Sequence, residues 1–397
     1  MSSTRTAKPG TPPRQERYMS SYERGLLGNL VAKRCERLSP TDRAPIIFLQ
    51  WLSWQPGGLA EAQRAIGSDE LERLCVDPSF LPRELWQAVA DYRAAWIASR
   101  APVVETTIGR RIADAIAFAQ SAPVMVLIEG VARIGKSFAA LDVCQRSAGL
   151  VRYVQAPSGN DDTAFFRAFA KSLGVACALS MKSQQMRDRV EEALQGAGVA
   201  VVIDEAHYCF DAALHPRMVP MRINWILTAL VNKGVPVIMV ATHQFEKSLA
   251  RVEKSTGWSS QQLTGRISYR EQLPDKLPMP DLLAVARAVY PEGDAKSWRA
   301  LAAYADLSET HLAAITALAT RARWHATQAG RSGATAEDLR RAIMESRTPV
   351  KFEAVTPARS PRAAASRPFR VNNAGLVTAS DEMISAWRSG PVPLPAD

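Results

Sequence analysis

Gly130-Val131-Ala132-Arg133-Ile134-Gly135-Lys136-Ser137 matches the pattern G-x-x-x-x-G-K-[ST] without a break. Each fixed position has a chemical reason. The backbone N–H groups of such a loop turn inward and cradle phosphate oxygens at the N-terminus of the helix that follows. Lys136 is then placed to reach the β- and γ-phosphates of a nucleotide, and the Ser137 hydroxyl to sit on Mg2+. The pattern carries weight only between a strand and a helix. Here the apolar run Pro123-Val-Met-Val-Leu-Ile128 precedes it, and Phe138 to Arg146 reads as a helix.

A second constellation, Val201-Val-Ile-Asp204-Glu205-Ala-His207, ends an apolar strand in two carboxylates. Asp204 suits the Mg2+ shell, and Glu205 suits the general base that polarises an attacking water. Asp-Glu can instead cap a helix, but its place directly behind a buried strand and downstream of Lys136 favours the catalytic reading. A third apolar run, Val237-Ile-Met-Val-Ala, ends in Thr242-His243. A hydroxyl or imidazole there could hydrogen-bond the attacking water or the γ-phosphate, with Thr242 the first candidate and His243 the second. An ordinary strand-ending threonine is the alternative.

The fourth element is Gln262-Leu-Thr-Gly265-Arg266-Ile-Ser-Tyr-Arg270. An arginine placed there in a ring or filament could enter a neighbour's nucleotide site and stabilise charge on the transferring phosphoryl group. Arg266 is the candidate, Arg270 the alternative, and a solvated or DNA-facing arginine the plainer reading. Asp-Glu-Ala-His, Val-Ala-Thr and Gln…Gly-Arg also spell motifs of a helicase class. That class needs a whole second α/β domain between the last two, and too few residues separate Thr242 from Gln262 to hold one.

These residues need a scaffold that places strand ends side by side. Apolar runs at Leu150–Val154, Val199–Ile203 and Val235–Val240 alternate with helical stretches at Asp162–Leu173, Ser183–Leu194 and Ile223–Val231. Continuous apolar strands separated by helices predict a doubly wound parallel sheet, with its ligand at the carboxyl ends of the strands. The expected α/β nucleotide-binding domain runs from 101 to 278, with Thr107–Phe118 as its leading helix. From 279 to 346 the strands stop, and Leu282–Val289, Ser297–Tyr304, His311–Gln328 and Thr335–Ser346 predict a helical lid.

Residues 21–100 predict an N-terminal helical domain, with apolar three- and four-residue spacing at Ile46–Trp54 and Glu84–Trp96. Its tryptophans Trp51, Trp54, Trp86 and Trp96 are expected to form its core, a base-stacking platform being the alternative. Residues 1–20 and the tail 347–397 lack periodicity and are expected to be disordered. The tail is basic, with seven Lys and Arg residues against four acidic ones.

Of 397 residues, 47% are hydrophobic and 22% charged, which fits a globular protein of two or three domains. No apolar run is long enough to span a bilayer, and the first residues lack the apolar core of a signal peptide. Five scattered cysteines argue for reduced thiols and against a disulfide frame or zinc site, so a cytoplasmic protein without a membrane partner is expected. The net charge of +10 suggests a polyanion, DNA first, against the alternative of a mildly basic surface.

Together, Gly130–Ser137, Val201–His207, the strand ending at Thr242 and Arg266 before a helical lid resemble the AAA+ ATPases of the origin-recognition-like branch. Within it, Val104-Glu-Thr-Thr-Ile-Gly-Arg-Arg-Ile and Gly234-Val-Pro-Val-Ile-Met-Val-Ala-Thr-His-Gln-Phe-Glu-Lys are similar to the ATPase regulators of transposition, of the Mu B protein, TniB and TnsC types. The resemblance covers residues 103–345. It implies a P-loop NTPase fold, ATP and Mg2+, a homo-oligomeric ring or filament on DNA, and a transposase or other recombination protein as partner. It also implies a lid arginine on the γ-phosphate, in a Gly-x-x-Arg-like context. Leu307-Ser-Glu-Thr-His311-Leu stands there without one. Either His311 substitutes or the lid senses nucleotide weakly, which suits a slow switch. A helicase loader or replication initiator, and a signalling or defence ATPase, are the alternatives.

Overall fold

The computed structural model describes residues 39–55, 57–76, 82–100, 104–175, 177–210, 218–308 and 311–346. The expectations for 1–20 and for the tail 347–397 lie outside them. Among the described residues, four helices come first: α1 (Pro40–Ser53), α2 (Gly58–Ile66), α3 (Leu71–Val76) and α4 (Arg83–Ala98). Then α5 (Thr107–Ser121) leads into β1 (Met125–Glu129), α6 (Lys136–Arg146), β2 (Val151–Gln155), α7 (Asp162–Leu173) and α8 (Ser183–Leu194). After β3 (Ala200–Asp204) come α9 (Met221–Trp225), β4 (Val237–Ala241), α10 (Gln244–Thr256), α11 (Gln261–Thr264) and β5 (Ile267–Gln272). The helices α12 (Met279–Val289), α13 (Ala295–Leu307), α14 (Leu312–Gln328) and α15 (Ala336–Glu345) close the described chain.

The sheet runs β2-β3-β4-β1-β5, all parallel. Side chains of a strand alternate between faces, and here both faces are dry. Leu127, Val201, Ile203 and Met239 join one apolar cluster with Phe165, Phe169 and Trp225. Val126, Ile128, Val202 and Val240 join a second with Ile112 of α5 and Leu318 of α14. Burial on both faces is why these strands read as unbroken apolar runs. The expected P-loop α/β fold with a helical lid is therefore the fold observed.

Two expectations need correction, and a third, the helical stretch at Ile223–Val231, holds but with an irregular winding. The chain has a fifth strand, β5, where the sequence suggested only a motif between the α/β unit and the lid. It lies at the sheet edge, and Ser268, Tyr269 and Arg270 are exposed, so it carries no apolar run to announce it. The stretch Ile223–Val231 is not one regular helix: α9 passes into a π-turn at Ile226–Leu230 and a 3-10 turn at Val231–Lys233. The four tryptophans do not form the centre of the N-terminal helices. That centre is Phe48, Leu49, Leu52, Ala62, Leu71, Leu74, Leu85 and Val89, with Trp51, Trp86 and Trp96 half-buried around it.

The reason lies in α1, which is shared between two units. Phe48 and Leu49 face the helical cluster while Ile47 joins the core of the α/β unit. Trp51 and Trp54 then lie against Gly149 and Gly174 of that unit. No helix among the described residues is long and apolar enough to cross a membrane.

Candidate active site

The loop from Gly130 to Ser137 leaves the carboxyl end of β1 and closes on α6. A Cβ on Gly130 would meet Leu273 at 2.9 Å and Ile134 at 3.0 Å, so a glycine here lets those side chains pack close against the backbone. Gly135 turns with φ 98° and starts the helix. Among the described residues, nothing accepts a hydrogen bond from the N–H of Arg133 or Gly135. Unpaired amides beside a helix N-terminus fit a phosphate. Lys136 is 7% exposed, and its ammonium donates to the Gly130 carbonyl at 2.8 Å and the Val131 carbonyl at 2.6 Å. Burial lowers its pKa, while the nearby Glu205 and Asp204 work against that.

Asp204 ends β3, 2% exposed. Its Oδ1 accepts from the Glu205 N–H at 2.9 Å and its Oδ2 from the Tyr153 hydroxyl at 2.5 Å. Burial above all, and then Asp204, push the Tyr153 phenol well above the usual tyrosine range, while the nearby Ser137 hydroxyl works against that. One of the two expected Mg2+ ligands is thus held by a tyrosine that sequence reasoning passed over. The signal was faint, a single hydroxyl in the strand Val151-Arg-Tyr-Val-Gln155. An alkoxyl and a buried carboxylate are oxygen donors of the kind Mg2+ takes, together with substrate phosphates, so the residues fit that ion.

Glu205 is held at φ 53°, ψ 40°, a left-handed conformation uncommon outside glycine. That turn separates it from Asp204: Asp204 stays inside, and the Glu205 side chain is 35% exposed. Its Oε2 lies 3.4 Å from His207 Nδ1. His207 is buried, its pKa lowered first by burial, with Glu205 the largest opposing influence. Thr242 follows β4, where its hydroxyl accepts from the Gln244 N–H at 3.3 Å. It thus meets the first residue of α10 and also lines the same cleft as Glu205. His243 is turned toward Asp275, at 3.8 Å.

The cleft has a volume of about 870 Å³. Ala132 to Ala139 and Glu205 form its floor, Thr106, Gly109 and Arg110 one wall, and Val285, Val289, Leu312 and Thr316 of the C-terminal helices the other. His311 precedes Leu312 at φ 44°, ψ −126°, outside α14 and outside the lining of this cleft.

The two arginines of the fourth motif separate. Arg266 precedes β5, whose Ile267 pairs with Met125 at the start of β1. It therefore sits at the opposite end of the sheet from the loop, about 16 Å away for a five-residue strand. It is exposed and donates to the Asn232 carboxamide. Arg270 is bound to Glu129, which is fully buried, and to Glu246. Those two carboxylates hold it against its own chain.

Residues 120–249 match the family model of the AAA domain. No curated protein matches the chain at a significant level. Among solved structures, the chain is similar to the ADP form of ORC2 from Aeropyrum pernix, with 15% identity and a TM-score of 0.47 over 58% of this chain and 67% of that one. For Cdc6p from Pyrobaculum aerophilum the identity is 13% and the TM-score 0.43, over 68% and 69%. For the RuvB branch migration motor of Thermotoga maritima they are 13% and 0.38, over 60% and 67%.

Proposed function

We propose that this chain is a slow, switch-like AAA+ ATPase that binds ATP with Mg2+, assembles on DNA as a ring or filament, and regulates transposition by recruiting a transposase to its target. One observation carries the nucleotide part. Lys136, Ser137, Glu205 and Thr242, drawn from three separate strand ends, line one cleft beside the buried Asp204.

In this reading the loop amides and Lys136 bind the phosphates, and Lys136 exchanges two carbonyl partners for phosphate oxygens. Ser137 and Asp204 hold Mg2+, which neutralises charge on the phosphates when bound. Tyr153 keeps the Asp204 carboxylate oriented. Glu205 takes the proton of the attacking water, and Thr242 orients that water or the γ-phosphate. Arg266, too far from its own cleft, completes the site of the next subunit. The C-terminal helices line the cleft with neutral side chains, which supports slow turnover.

The division into helical, α/β and lid units at 21–100, 101–278 and 279–346 belongs to the same reading, with α1 as the joint between the first two. The net charge of +10 supports phosphate-backbone binding. The test is DNA binding by wild type and Glu205→Gln, with and without ATP, viewed by negative-stain microscopy. Glu205→Gln with ATP should give rings or filaments on DNA, with affinity falling steeply as salt rises. DNA affinity indifferent to both ATP and salt would defeat the proposal. Assembly on DNA that recruits a replicative helicase and no transposase would move the reading to a helicase loader or replication initiator.

A further inference from the structure

Arg133 occupies a conformation that costs an arginine something. Its φ is 65°, in the left-handed region where glycine sits freely. Of the four described non-glycine residues with positive φ, Arg133 and Glu205 line the cleft. Glu205 has its proposed role there, and Arg133 as yet has none beyond its backbone N–H. Strain kept at a site argues for a function of the strained residue.

The charges around the cleft narrow what that function is. Lys136 is bound to loop carbonyls, Arg146 pairs with Asp142 at 2.8 Å, and Arg110 lies 3.8 Å from Glu105. Arg133 is exposed and, among the described residues, makes no hydrogen bond or ion pair. It is the cleft-lining cation left over. The facing wall offers Val285, Ala288, Val289, Leu312, Ala313 and Thr316, none of them charged. A triphosphate in this cleft would therefore meet no cation from the C-terminal helices that line it.

We propose that the Arg133 guanidinium binds the terminal phosphate of a nucleoside triphosphate in this cleft, so that the loop itself supplies the charge that distinguishes tri- from diphosphate. This rests on the reading of the cleft as a nucleotide site. A guanidinium presents a planar fork of N–H donors that matches phosphate oxygens two at a time. Mounted on the loop, it reports the γ-phosphate without any movement of the lid.

The test uses the full chain with Mg2+ and fluorescent derivatives of ADP and of a non-hydrolysable ATP analogue. Arg133→Gly removes the charge and relaxes the backbone, so its thermal stability without nucleotide should equal or exceed that of wild type. Its affinity for the ATP analogue should fall about tenfold, the scale of one charge-assisted hydrogen bond, with ADP affinity nearly unchanged. Arg133→Lys should recover part of the loss. Unchanged affinity for the analogue in Arg133→Gly overturns the proposal, and so does an equal loss for both nucleotides. Wild type that binds neither nucleotide defeats the nucleotide reading itself, a result distinct from wild type that binds both and an Arg133→Gly protein that matches it.

Discussion

The phenol of Tyr153 donates to Asp204 Oδ2 across the gap between two neighbouring strands, β2 and β3. It thereby fixes the buried carboxylate proposed for Mg2+. Groups that orient metal ligands in this way typically contribute 10- to 100-fold to affinity or activity. Tyr153→Phe should therefore raise the Mg2+ concentration for half-maximal ATPase activity by about 10-fold or more, with Lys136-dependent nucleotide binding retained. A Mg2+ titration of steady-state hydrolysis checks this. An unchanged Mg2+ requirement would show that Tyr153 only packs.

The position of Arg266 makes a different kind of prediction. It lies at the amino end of the strands, and the cleft lies at their carboxyl end. Arg266→Ala and Glu205→Gln should each abolish most hydrolysis, by about 100-fold or more. Mixed in equal amounts, the two inactive proteins should regain part of the wild-type rate. An intact cleft from an Arg266→Ala subunit is then completed by the arginine of a Glu205→Gln neighbour. Mixtures as inactive as their components would place Arg266 outside the catalytic cycle, as a partner of Asn232 alone.

Asp338 anchors the last helix of the lid. It accepts from both Arg331 guanidinium nitrogens, at 2.6 and 2.7 Å, and from the Thr335 N–H at 2.8 Å. Arg331 above all, and then Thr335, hold its carboxyl well below the usual carboxylate range. The folded state therefore prefers the ionised form more than the unfolded chain does. The resulting stabilisation is complete above the unfolded pKa of about 4 and fades as pH falls below it. Asp338→Asn should cost about 1–2 kcal/mol at neutral pH, a gap that narrows in acid. Thermal unfolding of both proteins from pH 7 to pH 3 measures it, and a gap independent of pH would exclude the ionic cause.

Much of the site was legible because its key residues stand next to each other in the chain. Gly130 to Ser137 is a local pattern, and Asp204-Glu205 sits directly behind its strand. Tyr153 was not legible, because its link to Asp204 depends on which strands are neighbours, a property of the sheet and not of either segment. β5 was hidden for the opposite reason. As an edge strand with only Glu271 buried along it, it lacks the periodicity that reveals interior strands. Spacing made Arg266 the candidate and kept Arg270 as its alternative. Register separated them, putting one at the far end of the sheet and the other against the buried Glu129.

The tryptophans were misplaced for a related reason. Helical spacing identifies an apolar face, but it does not say how many neighbours a helix has. α1 has two, and the consequence can be tested at Gly174. That residue ends α7 at φ 72°, and a Cβ there would lie 2.4 Å from the Trp54 ring. Gly174→Ala combines left-handed strain with overpacking and should destabilise the protein by about 2–4 kcal/mol. Trp54→Ala removes the obstructing ring at a cost of its own, about 3 kcal/mol at most for a half-buried tryptophan. In the double variant, only the left-handed strain from Gly174→Ala should remain beyond the loss of Trp54. The combined cost should therefore fall below the sum of the single costs by about 1–3 kcal/mol, the overpacking share. Urea unfolding of the four proteins gives that coupling directly. Strict additivity would mean that α1 does not press on the α/β unit at this point.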